Sequence, residues 1–202
     1  MSPAPAKTSY PQIILAARSL IETVGLAELS MQTVADRVGI RAPSLYKHVQ
    51  NRAELVRAVA EYTLNELRTT LEAAMQPHDP VTSLRHMAIT YRHFAHQSPT
   101  VYRLLFSSLS PEMQPSVEAS ELAAEPLLKT ITTMVGSEEA LKAARTFVAF
   151  MHGFVSMELT GAFRLGGSVD SAFKFGVETL IEALQALSHR QSTSEKLDRI
   201  IK

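Results

Sequence analysis

The sequence predicts an all-α protein of about nine helices, with a three-helix N-terminal domain followed by a larger helical one. Three observations carry that reading. Apolar residues recur at helical spacing along nearly the whole chain, the breaks between those stretches fall at glycine and proline, and no segment alternates apolar and polar residues as a strand does. A chain of 202 residues, 46% of them hydrophobic, is long enough to bury one or two cores.

The elements follow in order. Residues 2–9 form a tail. From Tyr10 a helix carries Ile13, Ala17, Leu20, Ile21 and Val24 along one face and stops at Gly25. Ser30 caps a short helix with Val34, Ala35 and Val38, which Gly39 ends. A second short helix covers 43–49, with Pro43 in its first turn. Asn51 caps a long fourth helix in which Leu55, Val59, Tyr62, Leu67 and Leu71 recur, ended by the two prolines of residues 76–80. Further helices are expected over 81–97, 100–109, 115–135, 138–164 and 169–187, separated at Ser98-Pro99, Ser110-Pro111, Gly136 and Gly166-Gly167. The polar residues from Gln191 onward are expected to fray. The domain boundary is placed at 55/56, giving domains 1–55 and 56–202.

Composition excludes several classes. Basic and acidic residues balance at 20 each, yet residues 1–60 hold seven basic groups against four acids, so a mildly basic head precedes a mildly acidic body. Cysteine is absent, which removes disulfides and thiolate zinc sites. The Pro-rich start has no apolar core of a secretory signal. The most apolar stretch, 147–159, is interrupted by His152 and Glu158 and falls short of the roughly 20 residues a membrane span needs. The expectation is a cytoplasmic protein without membrane contact. His78, Asp79, His86, His93 and His96 lie near one another in sequence but form no His-Glu-x-x-His pattern, so no metal and no cofactor are expected. With no Gly-rich phosphate loop and no nucleophile–base arrangement readable from spacing, an enzyme is not expected.

The informative segment is 30–49. Two short helices meet across Gly39, Ile40 and Arg41, where Gly39 can take positive φ and turn the chain within three or four residues. Val34, Ala35, Val38, Ile40, Leu45 and Val49 supply a small core. The opposite face of the second helix presents Arg41, Ala42, Ser44, Lys47 and His48, all short or basic, suited to a DNA major groove about 12 Å wide. The pattern is a helix-turn-helix.

Residues 43–52 read Pro-Ser-Leu-Tyr-Lys-His-Val-Gln-Asn-Arg, and with Ala35, Gly39, Ile40 and Leu55 this segment resembles the DNA-binding domain of the TetR family of regulators. The resemblance implies that double-stranded DNA is the partner, with Gln32, Arg41, Ala42, Pro43 and Ser44 at the bases and Tyr46, Lys47, His48 and Arg52 mostly at the phosphates. The chemistry is compatible: Arg reads guanine and Gln adenine, small apolar groups meet a thymine methyl, and donors at a helix end set register on the backbone. Arg41 stands where a serine is common in the family, so an operator sequence does not transfer.

The resemblance also implies that the larger domain binds a small molecule and dimerises, giving a ligand-responsive repressor that is a homodimer through its last two helices. Phe173, Val177, Leu180, Leu184 and Leu187 follow a 4-3-4-3 spacing suited to a partner helix, and the preceding helix is apolar nearly all round, with Gly153 and Ser156 small enough for close approach. The alternative is that both stripes only fill a monomer core. Met151-His152-Gly153 resembles a Trp-His-Gly signature of part of the family, with Met151 in the tryptophan's place. An effector pocket is expected among Met87, Tyr91, Phe94, Tyr102, Phe106, Phe147, Met151 and Phe154, with His86, His152 or Glu158 orienting the ligand, although Met and Phe at helical spacing more often make plain core. The long helix after Asn51 is the expected lever between the domains.

Overall fold

The structure, a computed structural model, describes residues 8–76 and 79–200, with side chains as far as Ser188. The expected tail falls mostly outside that range, as does His78. Eight α-helices run in order: α1 Tyr10–Val24, α2 Met31–Val38, α3 Ala42–Leu45, α4 Arg52–Ala73, α5 Pro80–Gln97, α6 Pro99–Leu105, α7 Val117–Leu159 and α8 Val169–Ile200. Short 3₁₀ turns occupy Leu26–Glu28 and Pro111–Met113, and no strand occurs among the described residues. The helices expected over 115–135 and 138–164 are the two halves of α7, which breaks at Gly136 (φ 74°, ψ 168°) without separating. α8 continues well past residue 187, where the apolar repeat stops.

Packing divides the chain into two compact units. The first comprises residues up to 66 together with 98–122, so the 55/56 boundary expected from sequence falls inside α4. Its core joins Ile13, Ala17 and Ile21 of α1, Val34 and Ala35 of α2, Leu45, Val49, and Leu55, Val56 and Val59 of α4. Ile14 is buried on α1 while Val24 is exposed, so the buried face is turned slightly from the expected stripe. Full burial of each Val, Leu or Ile in this core contributes about 1.5–3 kcal/mol.

α6 belongs to this unit because α1 holds it. Val101 and Leu104 enter the same core. The Glu22 carboxylate accepts from the backbone N–H groups of Thr100 and Val101 at 3.3 and 3.0 Å, satisfying donors that the first turn of α6 leaves open. Arg18 donates to Ser98 Oγ at 3.2 Å and pairs with Glu66 at 3.0 Å, so one side chain ties α1 to both α6 and α4.

The second unit is built on α5, α7 and α8. Leu84, Met87 and Tyr91 of α5, Phe147, Met151 and Val155 of α7, and Phe173, Val177 and Ile181 of α8 are all buried. Phe150, Phe154, Phe163 and Phe173 form a ring cluster with centroid separations of 4.7–6.0 Å. Close approach occurs at Gly176, where a Cβ would lie 2.2 Å from the Phe150 ring; at Gly153 a Cβ would meet nothing within 4 Å. The glycine expected to admit a neighbouring helix therefore does not do so within this unit, and a glycine not singled out does.

Ion pairs lace the same three helices. Arg85 makes a two-pronged bridge to Glu178, both bonds 2.7 Å. Arg92 of α5 grips Glu158 of α7 through Nε (2.8 Å) and Nη2, reaches Asp170 of α8 at 2.7 Å, and lies 5.0 Å from the Phe173 ring centroid. His96 Nε2 is 3.0 Å from Glu158. The Arg92 hydrogen bond holds the Glu158 carboxyl below its ordinary value of 4.5, with burial opposing and His96 adding to the pull.

Two outcomes follow from this packing. Gly176→Ala should lower stability by about 1–3 kcal/mol in denaturant titration, and most of that loss should disappear in a Phe150→Ala background. Glu158 has a depressed folded pKa, so its contribution is present above pH 4.5 and is lost as pH falls through the lowered value. The stability gap between wild type and Glu158→Gln should hold steady at neutral pH and close on acidification, as read by thermal melts from pH 7 to 3.

Candidate nucleic-acid interface

Local chemistry sets α2 and its turn. Ser30 Oγ accepts from the Thr33 N–H at 3.0 Å and Thr33 Oγ1 accepts from the Ser30 N–H at 2.9 Å, a reciprocal cap. At the other end Gly39 is left-handed (φ 72°, ψ 29°). Its N–H donates to Asp36 O and the Ile40 N–H to Ala35 O, at 3.2 and 3.0 Å. That Schellman pairing closes α2 and reverses the chain into α3.

α3 is a single turn, Ala42–Leu45, extended toward Val49 by backbone bonds from His48 and Val49 to Leu45 O. The fourth helix then starts where expected. Asn51 Oδ1 accepts from the Glu54 N–H at 2.9 Å, and the Glu54 carboxylate accepts from the Gln50 N–H at 2.6 Å.

Leu45 and Val49 point into the core, at 0% and 1% exposed. The other side of the turn is left to solvent: Arg41, Pro43, Tyr46, Lys47 and His48 are exposed, with Ala42 and Ser44 half-buried. Tyr46 shows 52% of its surface. Among the described residues, neither Arg41 nor Lys47 has an acidic partner. Gln32 is exposed on α2 and donates to Asp36 at 2.7 Å. Eight of the nine residues expected to meet DNA thus border one continuous stretch of chain around the α2–α3 turn.

Arg52 behaves differently. Its Nε donates to Leu29 O at 2.7 Å and its Nη2 to Leu26 O at 2.6 Å, both bonds partly buried. Two of the donors expected at a phosphate are turned inward, onto the segment between α1 and α2. The sequence gives no local signal for this, because the two carbonyls lie 23 and 26 residues earlier.

Residues 13–59 match the model of bacterial regulatory proteins of the tetR family, and residues 84–180 match the tetracycline repressor-like C-terminal domain. An uncharacterized HTH-type transcriptional regulator of Mycobacterium tuberculosis is 30% identical over 162 residues, which cover 78% of this chain and 73% of that protein. This chain belongs to the TetR family of transcriptional regulators. As such it is a DNA-binding regulator of transcription and not an enzyme. Its fold is shared by a Rhodococcus protein of unknown function, with TM-score 0.76 at 21% identity over 92% of this chain and all of the other. It is also shared by an Acinetobacter baumannii TetR variant, crystallised with minocycline, with TM-score 0.67 at 25% identity over 90% and 99% of the two chains.

The residues expected around an effector divide between the units of this TetR-family chain. Tyr102 and Phe106 lie in the first unit, ring against ring at 5.2 Å, Tyr102 buried and Phe106 exposed. Met87, Tyr91, Phe94, Phe147, Met151 and Phe154 lie in the second, all buried except Phe154, which is half-buried in the ring cluster. Of the polar groups, His86 is exposed on α5 and Glu158 is committed to Arg92. His152 is half-buried near Ser156, its pKa lowered by that burial. Among the described residues no group of three or more potential ligands could hold a metal, and no helix is long and apolar enough to cross a membrane.

The cap supports the interface directly. Ser30→Ala should cost about 1 kcal/mol of stability. Hydrogen exchange should rise first at the amides of Thr33 and Val34, which donate to Ser30 Oγ and Ser30 O.

Proposed function

We propose that this TetR-family regulator is a repressor that binds a palindromic operator as a homodimer and is released by a small, largely apolar effector. The observation carrying the proposal is the exposed set around α3, where Arg41, Tyr46, Lys47 and His48 face solvent on a turn whose back is locked in the core. In this reading Arg41, Gln32, Ala42, Pro43 and Ser44 approach base edges and Tyr46, Lys47 and His48 approach phosphates.

The dimer uses the second half of α7 and α8. Of the apolar repeat on α8, Phe173, Val177 and Leu184 are buried within the unit itself. What they leave open is a groove of about 200 Å³ lined by Phe147, Leu180, Ala183, Leu184 and Leu187 together with Glu139, Lys142 and Thr146 of α7. Covering it with a second copy would present two α3 turns, which read successive major grooves when about 34–36 Å apart. The effector is proposed to act on the apolar interior of the second unit, where Met87, Tyr91, Phe94 and Met151 are the side chains to substitute. Whatever ligand weakens operator binding must itself be weakened by the operator to the same extent.

Genomic-fragment selection with purified protein tests this, using Arg41→Ala with Tyr46→Ala as the control. Recovery of a palindromic site by wild type alone is the expected result. Enrichment no better than the double variant, in moderate salt and with no added ligand, would sink the operator reading.

A further inference from the structure

We infer that Arg52 serves DNA recognition as a positioning residue that holds the α2–α3 pair in register with α4, and is not a phosphate ligand. Arg52 is the first residue of α4, and its guanidinium closes on Leu29 O and Leu26 O through two charge-assisted bonds of 2.7 and 2.6 Å.

Those carbonyls have a particular place in the chain. Leu26 begins the 3₁₀ turn that leaves α1, and Leu29 immediately precedes the Ser30 cap of α2. α2 and α3 are therefore strung between two points that one side chain clamps together. Leu29 is itself buried, at 2% exposed, and anchors its end of the clamp in the core. With entry to α2 and exit from α3 fixed to each other, the direction in which Arg41, Tyr46 and Lys47 project is fixed as well.

The chemistry requires arginine. Only a planar fork presents Nε and Nη2 to two carbonyls at once, while a lysine ammonium offers a point charge on a flexible stem. Helix polarity does not explain the choice, since a cation at a helix N-terminus meets the positive end of the dipole. The two carbonyls compensate it locally.

Lysine substitution separates the two roles, because it keeps the charge and removes the fork. Binding of Arg52→Lys, Arg52→Met and wild type is measured across salt concentrations on two probes, the fragment recovered by selection and a random-sequence 40-bp duplex. Where selection recovers no fragment, the salt slope on the random duplex and hydrogen exchange at Thr33 and Val34 decide: an unchanged slope with deprotection in both variants upholds the inference, and a slope reduced in Arg52→Met overturns it. As a positioning residue, Arg52 gives Lys and Met variants that lose selected-fragment affinity alike, by about tenfold. Binding to the random duplex, and the slope of log K against log salt, stay close to wild type.

A phosphate role gives the opposite result. Arg52→Lys would bind like wild type on both probes, and Arg52→Met would shrink the salt slope by about 0.9. That outcome overturns the inference. So does a purely structural one, in which both variants melt earlier but bind the selected fragment normally well below their melting temperature. Hydrogen exchange supplies the second readout: loss of the clamp should deprotect Thr33 and Val34 in both variants while the amides of α4 after its first turn keep their protection.

Discussion

The exposed surface around α3 depends on burying Leu45 and Val49, because α3 is too short to exist by itself. Helix nucleation is unfavourable, and a four-residue turn has almost no propagation to offset it. Its geometry is imposed from outside: by the left-handed Gly39 behind it, by the Asn51–Glu54 cap ahead of it, and by the α1, α2 and α4 side chains that enclose Leu45. A surface made this way is rigid where Leu45 and Ala42 anchor it and chemically free where Arg41, Pro43, Tyr46, Lys47 and His48 face solvent.

The same economy of anchoring appears at α1. Glu22 caps α6 and Arg18 links Ser98 and Glu66, so the first unit includes a helix that lies some 75 residues downstream of α1. The unit that carries the exposed α3 turn is thus not a contiguous piece of chain. A shift in α6 would be felt at α1 through specific hydrogen bonds, and α1 packs directly on α2 through Ile13, Ala17 and Ile21. In the second unit, Arg92 performs the comparable task for α5, α7 and α8, and its charge is balanced by two carboxylates from different helices.

Much of this was readable from the chain alone. The caps at Ser30 and Asn51, the stop at Gly39 and the break at Gly136 are local events between residues a few positions apart, and each occurs where the residue types put it. The exposed face of α3 was legible for the same reason: once Leu45 and Val49 face inward, the residues between and before them have one direction left. The effector residues were less legible, because apolar side chains at helical spacing look the same whether they pack on each other or on a ligand.

Long-range geometry is where sequence reasoning stopped. Nothing local distinguishes Gly176 from Gly153, yet only Gly176 receives an aromatic ring. Nothing local turns two donors of Arg52 onto carbonyls more than twenty residues back. The sequence by itself determined that the chain is helical, where α2 and α4 are capped and the chemical character of the α3 turn, because capping, propensity and periodicity act over a few residues. The tertiary structure decided which helix joins which unit and which charged groups remain available to a partner, because hydrogen bonds and ring contacts between distant residues exist only once packing has brought them within a few ångströms.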